Sequence, residues 1–532
     1  IRNDFEASAR YYTAALARDP SNVALMEDAI STQLAMGEID RAVPIAKLLE
    51  GRGIRSQAAH MAVIADMLAR EDYAKYLERN VETNGIGPLV DGLLGAWAMI
   101  GADQVEDGLA EFDTISEERG LRGFALYHKA MALAFLGDFE GSEAIFVAEA
   151  GPLQQTRRGA MARAEVLSQL GRNEDAVTSL EAAFGASSDP ELAALIEALG
   201  AGETLPFTHV TSARDGAAEV FYSVAGALRA DAGADYTLIY ARIARHLRPD
   251  QIDALLLVAD LLEELEQFTL SGAVYKEVPA DHPAFHAAEL GRAATLRQSG
   301  KPDAAIEVLE QLGKRFGDLA VVHSTLGDVL RRQDRFKEAT AAYDRAIDLT
   351  PESASGLWFL HYARAITYER QDDWTDAESD FRHALALNPG QPQVLNYLGY
   401  SMVEKQINLD EALGMIEEAV DATNGESGYI VDSLGWVLYR LGRYDEAVGY
   451  MESAVELMPV DPVVNDHLGD VYWAVGRERE AQFQWMRALS FVDTEDEDGE
   501  ADPDRMRRKL EVGLDVVLEE EGADPLKVAD EN

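Results

Sequence analysis

Apolar and small residues recur along this chain with the period of paired amphipathic helices. In the stretches 431–448 and 465–482, a small residue at the centre of one apolar-periodic segment is followed twelve residues later by alanine. The two small residues, Gly435 and Gly469, lie 34 residues apart. Two helices of about a dozen residues each and two short turns use about 34 residues. The spacing therefore predicts a stack of helix-turn-helix units.

Each predicted unit can be placed by the small or apolar residue at the centre of its first helix, which we call the anchor. The pattern expects alanine twelve residues after the anchor, an apolar or aromatic residue at sixteen, alanine at nineteen and proline at twenty-four; from Gly435 these are Ala447, Met451, Ala454 and Pro459. Small residues let helices approach closely, and the larger residue at sixteen fills the space beside the anchor. The anchors are Ile30, Ala62, Ala96, Ala130, Ala164, Ala225, Ala259, Ala293, Gly327, Ala365, Gly399, Gly435 and Gly469.

At these positions the chain resembles the tetratricopeptide repeat (TPR) family. The family pattern W-x2-L-G-x2-Y…A-x3-F…A…P is matched best between Ala293 and Ala488, and in degenerate form from Ile30 to Ala183. The resemblance implies an all-α fold, an α-α superhelical solenoid in which each unit buries its apolar face against its neighbours. It also implies that residues three before, one after and four after an anchor line a concave groove.

By that family geometry, the C-terminal repeats present a run of aromatic, amide and acidic groove residues. The candidates for partner binding are Tyr362, Asn396, Tyr400, Asp432, Trp436, Tyr439, Asp466, Asp470 and Trp473. Exposed Trp and Tyr residues are frequent interaction hot spots, an asparagine can hydrogen-bond an extended peptide, and the aspartates would select a basic or amino-terminal group. The alternative is that the aromatic residues only pack between adjacent helices. Aspartates also stand where a chaperone-tail clamp needs lysine, which argues against carboxylate binding.

The repeat phase also predicts a domain organisation. Only 61 residues separate Ala164 from Ala225, and the stretch 200–216 has no helical period, so it is expected to be a loop; whether it is a hinge or a rigid insertion stays open. The stretch 2–20 matches the second half of a repeat, so the chain is expected to begin inside one. The predicted parts are an N-terminal solenoid 1–199, the break 200–216, a C-terminal solenoid 217–492 with its best repeats in 286–492, an acidic linker 493–503, a capping helix 504–521 and a tail 522–532.

The net charge and the cysteine content limit the classes of partner and the cellular compartments that fit this chain. The chain has 95 acidic against 47 basic residues, a formal net charge of −48, and such a field repels phosphate backbones and anionic lipids. Nucleic-acid binding is therefore not expected, and the acidity serves either solubility or attraction of basic partners. The chain has no cysteine, which fits an oxidising periplasm. Its longest nearly apolar run, 92–102, is too short to span a bilayer.

Motifs for chemistry are missing from the sequence. The ten histidines are scattered, and neither HExxH nor a nucleophile, phosphate-binding or dinucleotide motif occurs. The stretch 494–505 resembles a calcium loop, but Thr494 and Arg505 stand where the first aspartate and the closing glutamate belong. We therefore expect no metal, no cofactor and no enzymatic activity.

The last repeats are similar to those of long TPR proteins of Gram-negative bacteria, many of them exported lipoproteins. This resemblance implies a non-catalytic scaffold or adaptor in the cell envelope, periplasmic and possibly held at the outer membrane by a lipid anchor upstream of Ile1. It implies a protein partner such as a C-terminal processing protease, a cell-wall hydrolase or their substrates. The alternatives are a cytoplasmic assembly scaffold and an enzyme built on a solenoid. The oligomeric state stays open.

Overall fold

The computed structural model describes residues 4–148, 156–185, 189–492, 501–523 and 525–526, and these residues form 31 α-helices without a β-strand. The prediction of an all-α fold of paired helices is confirmed. The helices fall into two compact units, Ile1–Val322 and His323–Asn532, each with its own core. None of the described helices is long and apolar enough to cross a lipid bilayer.

Nineteen helices lie in the N-terminal unit. They are α1 (Phe5–Arg18), α2 (Val23–Met36), α3 (Ile39–Gly51), α4 (Gln57–Ala69), α5 (Tyr73–Leu77), α6 (Val81–Asn84), α7 (Pro88–Gly101), α8 (Val105–Ser116), α9 (Arg122–Phe135), α10 (Phe139–Ala148), α11 (Arg157–Gln169), α12 (Asn173–Phe184), α13 (Pro190–Gly200), α14 (Ala213–Leu228), α15 (Ala234–Leu247), α16 (Ile252–Glu264), α17 (Phe268–Tyr275), α18 (Phe285–Gln298) and α19 (Pro302–Arg315).

The division between the units falls near the start of α20, and the remaining helices belong to the C-terminal unit. They are α20 (Ala320–Arg331), α21 (Phe336–Leu349), α22 (Leu357–Glu369), α23 (Trp374–Leu387), α24 (Pro392–Glu404), α25 (Leu409–Ala422), α26 (Gly428–Arg440), α27 (Tyr444–Leu457), α28 (Pro462–Ala474), α29 (Glu478–Phe491), α30 (Pro503–Val512) and α31 (Leu514–Glu521).

The anchor glycines hold the helix pairs together as the repeat pattern predicts. A Cβ atom built on Gly435 would lie 2.3 Å from the sulfur of Met451, and one on Gly469 would lie 2.4 Å from the Trp485 ring. Both partners stand sixteen residues after their anchor and are fully buried. Any larger residue at these two anchors would push the helices of a pair apart.

The turn inside each of these pairs is set by a second glycine. Gly442 has a φ of +77°, the left-handed conformation that a residue without a Cβ adopts most easily. The next amide, that of Arg443, then donates to the carbonyl of Leu438 at 2.9 Å and closes the end of α26. The following helix α27 ends at Leu457, two residues before the predicted stop at Pro459.

In the N-terminal unit, the helix pair α14–α15 returns to pack against earlier helices. The pair contacts α2, α4, α7 and α9, which are the first helices of four predicted repeats. Gly216 of α14 packs so closely on the Trp97 ring that a Cβ atom there would collide with it, and Arg242 of α15 donates from Nε to the Ala35 carbonyl at 2.9 Å. These long-range contacts join parts of the chain that the repeat period alone does not connect.

The segment predicted as a break, 200–216, is non-helical over residues 201–212, and α14 already begins at Ala213. Its backbone is held by side chains of α11. The Glu165 carboxylate accepts the Thr208 amide at 2.8 Å, and the Ser168 hydroxyl accepts the Leu205 amide at 2.9 Å. Val210 is buried. In this structure the segment is thus packed on α11.

At the C-terminal end, the stretch 504–521 forms two helices where one was predicted. The chain turns at Gly513, whose φ of +87° a helix cannot contain, and the Trp473 ring occupies the space where a Cβ would lie. Met506, Leu514 and Val517 are buried, so the two helices cover apolar surface at the end of the unit. Residues 493–500, which include most of the predicted linker and of the calcium-like stretch, lie outside the described residues, as does most of the tail.

Candidate protein-binding surface

Aromatic side chains of three consecutive first helices, α22, α24 and α26, form a partly exposed surface in the C-terminal unit. The Tyr362 ring lies 6.1 Å from that of Tyr397 and 6.2 Å from that of Phe359. Burial, with the nearby Tyr429, raises the pKa of Tyr362 above its ordinary value. We define the aromatic face as Phe359, Tyr362, Tyr397, Tyr400, Tyr429 and Trp436.

Two residues of this face, Phe359 and Tyr429, were not among the sequence candidates. They are its most exposed members, at 42% and 47%. Each stands six residues before its anchor, and therefore close to one helical turn before the groove position at minus three. Extending the same helical face by one turn would have found both.

Trp436 is partly exposed and also packs within the unit. Its ring stacks on His467 at 3.9 Å and on Tyr439 at 4.8 Å, and its indole N–H donates weakly to Glu404 at 3.4 Å. Tyr439 is buried by this stack. The packing alternative for the aromatic residues therefore describes Tyr439 well, while Trp436 keeps part of its surface in solvent.

The three candidate aspartates are engaged by the chain itself. The Asp432 carboxylate accepts from His467 Nδ1 at 3.1 Å, and burial opposes the charge on His467, but Asp432 raises the pKa of this imidazole above its ordinary value. Asp466 and Asp470 both accept from Lys509 Nζ, at 2.8 and 2.6 Å. The basic group that these aspartates were expected to select in a partner is thus supplied by the chain's own α28 and α30.

Trp473 and Asn396 are also less available than the sequence suggested. Trp473 donates its indole N–H to Asp515 of α31 at 2.9 Å and packs beside Trp485 at 5.4 Å. Asn396 is only 9% exposed, and its Oδ1 has no hydrogen-bond partner among the described residues. The candidates that keep exposed aromatic surface are therefore Tyr362, Tyr400 and Trp436.

The equivalent positions of the N-terminal unit face other parts of the same chain. Trp97, one residue after its anchor, packs on α14, and Tyr127, three before its anchor, donates to Glu219 of α14 at 2.8 Å. Glu165, one residue after its anchor, holds the segment 201–212. In this unit the surface that the repeats would offer a partner is occupied by the chain itself.

Within each unit, many polar side chains form hydrogen bonds and ion pairs with side chains of neighbouring helices. In the described part of the chain, no three histidine or acidic residues are placed to hold a metal ion together. His361, for example, donates or accepts at Nδ1 with Asp380 at 2.9 Å, and Asp380 also binds Arg364 at 2.6 Å. Such networks join neighbouring helices of the stack.

Comparison with known proteins agrees with the repeat geometry. Three stretches, 290–354, 358–391 and 430–458, match sequence models described as tetratricopeptide repeat. The chain is 28% identical over 187 residues to the TPR repeat-containing protein PA4667 of Pseudomonas aeruginosa, which covers 35% of this chain and 31% of that protein. It is 31% identical over 152 residues to the cytochrome c-type biogenesis protein CycH of the same species, and this match covers 27% of this chain and 35% of CycH. The matches thus span about a third of each relative's length.

Among solved structures, the chain is similar to one in the APC/C hetero-tetramer Cut9–Hcn1, at 15% identity and a TM-score of 0.40, over 92% of this chain and 96% of that one. Proteins with this type of repeat bind protein partners, and the fold is typically a non-catalytic scaffold for such interactions. Repeat period, anchor packing and family matches together lead to one assignment: the chain is a tetratricopeptide repeat protein.

Proposed function

We propose that this protein is a non-catalytic adaptor of the bacterial cell envelope that holds a protein partner on the aromatic face of its C-terminal unit. The observation that carries the proposal is the recurrence of exposed rings at equivalent positions of the first helices. Phe359 and Tyr429 both stand six residues before an anchor, and Tyr400 and Trp436 both stand one residue after one. A surface that repeats in this way offers a row of similar contacts to one elongated partner.

The chemistry of this face suits a protein partner better than a small solute. Tyr and Trp bring large apolar area together with a polar atom at the edge, and they lose little side-chain entropy on binding. The ring centroids of Phe359, Phe381 and Tyr397 lie 6.0 to 6.2 Å from that of Tyr362. Packing among these rings therefore holds Tyr362 in place before a partner binds. Pre-ordered side chains lower the entropic cost of association.

Two observations support the proposed location in the cell envelope. The chain lacks cysteine, which suits an oxidising compartment, and one relative is named for cytochrome c biogenesis. The partner classes that we propose are a C-terminal processing protease, a cell-wall hydrolase or their substrates. Fractionation of cells that carry the gene decides the compartment: recovery with the envelope supports the proposal, and recovery with the cytosol favours an intracellular assembly scaffold.

Capture of a partner with two matched double variants tests the binding surface. Phe359→Ala with Tyr429→Ala removes the two most exposed rings of the aromatic face. Phe483→Ala with Tyr450→Ala removes the same residue types, 68% and 41% exposed, from the second helices α29 and α27. We expect a partner identified by mass spectrometry to be lost at least tenfold with the first pair and retained with the second. If both double variants recover the partner equally, or if only the second loses it, the partner does not bind on the aromatic face.

A further inference from the structure

The return of α14 onto the earlier helices leaves a cavity of about 530 Å³ inside the N-terminal unit. It lies between α9, α11, α14 and α16. Two facing helices leave this room because they carry small residues, Gly123 on α9 and Gly226 and Ala227 on α14. A Cβ atom on Gly123 or Gly226 would meet no other atom within 4 Å. The cavity opens to solvent at the exposed last turn of α14.

Three aromatic side chains contribute to the walls of this cavity. Phe124, Tyr127 and Tyr222 line it. The Tyr127 hydroxyl is engaged, since it donates to Glu219 at 2.8 Å, and the Arg158 guanidinium lies 5.6 Å above the Tyr222 ring. The Tyr222 hydroxyl has no hydrogen-bond partner among the described residues. Burial raises the pKa of Tyr222 well above its ordinary value, so this hydroxyl stays protonated and can donate.

An ion-pair network with excess negative charge borders the cavity. Its members are Arg157, Arg158, Asp189, Glu191, Glu219 and Asp253. Arg158 binds Glu219 at 2.8 Å and Asp253 at 2.7 Å, so its charge is already matched. Four members of the network, Arg157, Arg158, Glu219 and Asp253, line the cavity, and each of them has an oppositely charged partner within 3.5 Å. Neither an anionic nor a cationic ligand would therefore find an unpaired counter-charge in the cavity wall.

We propose that this cavity binds an uncharged aromatic group that carries a hydrogen-bond acceptor, such as a ketone or amide carbonyl. Its volume falls within the range of small-molecule sites, about 300–1,000 Å³. The three rings supply a surface for a ligand of one or two rings, and the Tyr222 hydroxyl supplies the donor that fixes its orientation. The same chemistry occurs in a free aromatic carbonyl compound and in a tryptophan or phenylalanine residue of a peptide. The site is separate from the aromatic face and does not depend on it.

A neutral fluorescent ketone tests the proposal directly. The probe is 6-propionyl-2-(dimethylamino)naphthalene, titrated into the full chain, and we expect saturable binding of one probe per chain with a blue shift of its emission. Gly123→Leu and Gly226→Leu each fill the cavity from one wall, and each should weaken binding at least tenfold. Both sites are helical, so leucine is favoured there over glycine and the melting temperature should not fall. Gly95→Leu is the matched control, a helical glycine of α7 with equal room around it and outside the cavity.

Two further measurements test the chemistry of recognition. Tyr222→Phe removes only the donor, and we expect binding to weaken by about threefold to tenfold, the usual effect of one neutral hydrogen bond. The anionic probe 8-anilinonaphthalene-1-sulfonate should bind at least tenfold more weakly than the ketone. Equal binding of the sulfonate, or unchanged ketone binding in both leucine variants, would overturn the proposal.

Competition identifies the source of the ligand. Displacement of the probe by N-acetyltryptophanamide assigns the cavity to a side chain of a peptide. Displacement by 2-acetylnaphthalene alone assigns it to a free aromatic carbonyl compound. Displacement by neither compound, or the absence of saturable probe binding to the unaltered protein, would show that the cavity is a packing gap and would overturn the proposal.

Discussion

Replacing Lys509 by methionine should release the C-terminal helices α30 and α31 from the repeat before them. Lys509 is completely buried, and its Nζ lies 2.6 Å from Asp470 and 2.8 Å from Asp466. Asp470 is itself almost fully buried. Methionine keeps most of the apolar stem but removes the positive charge between the two carboxylates, and the more distant Arg505, 3.5 Å from Asp470, replaces it only in part.

The expected cost follows from the burial of these charges. Removing one partner of a buried ion pair costs about 3–5 kcal/mol, because the remaining charge loses both water and its counter-ion. Burial already raises the pKa of Asp466, so protonation of this carboxyl would relieve part of the free-energy cost. We therefore expect a cost at the lower end of this range. About 3 kcal/mol corresponds to about a hundredfold increase in the population with α30 undocked.

Hydrogen exchange followed by mass spectrometry measures this population. In Lys509→Met, amides of α30 should exchange about a hundredfold faster, while those of α22 and α23 should be unchanged. Adding Asp466→Asn should restore most of the protection, because it removes the uncompensated charge. The matched control is Arg507→Met on the same helix, a residue 58% exposed whose partner is Asp504. Unchanged exchange in α30, or no recovery in the double variant, would refute the buried-pair argument.

Three further predictions concern packing, pH and the segment 201–212. Ala447→Leu should destabilise the C-terminal unit by about 1–3 kcal/mol in urea unfolding, because Ala447 is fully buried, whereas Gly449→Leu on the exposed side of α27 should not. Burial lowers the pKa of His128 from 6.5 to about 4. The free energy of unfolding should therefore fall by about 3 kcal/mol as the pH drops from 6.5 to 4, because the unfolded chain binds a proton that the folded chain does not. Unfolding measured as a function of pH should not show this loss in His128→Gln. Glu165→Ala should expose the segment to limited proteolysis, because Glu165 holds its backbone and side chains; unchanged cleavage would contradict that role.

The sequence was enough to predict the repeating part of the fold. The spacing from Gly435 to Met451 predicted a contact that the structure contains, and Gly442 ends its helix in the left-handed conformation as expected. These features are local, since each depends on residues within one helix pair. Local geometry follows from periodicity and from the few conformations that glycine adopts easily.

The contacts between distant parts of the chain could not be predicted in the same way. The packing of α14 on Trp97 joins residues that no repeat spacing relates. Similarly, helical periodicity placed Asp466 and Asp470 on one face of α28, but it could not show that Lys509 lies between them. The division of 504–521 into two helices at Gly513 could have been predicted, because a glycine within an otherwise helical pattern often marks the end of a helix.

Site-specific photo-crosslinking in cells tests whether a protein partner lies on the aromatic face. Benzoylphenylalanine is placed singly at position 359, 429 or 483, which are all exposed aromatic sites. We expect positions 359 and 429 to crosslink to the same protein and position 483 not to do so. Crosslinks to that protein from position 483 alone, or none from 359 and 429 when the partner is bound, would contradict this expectation.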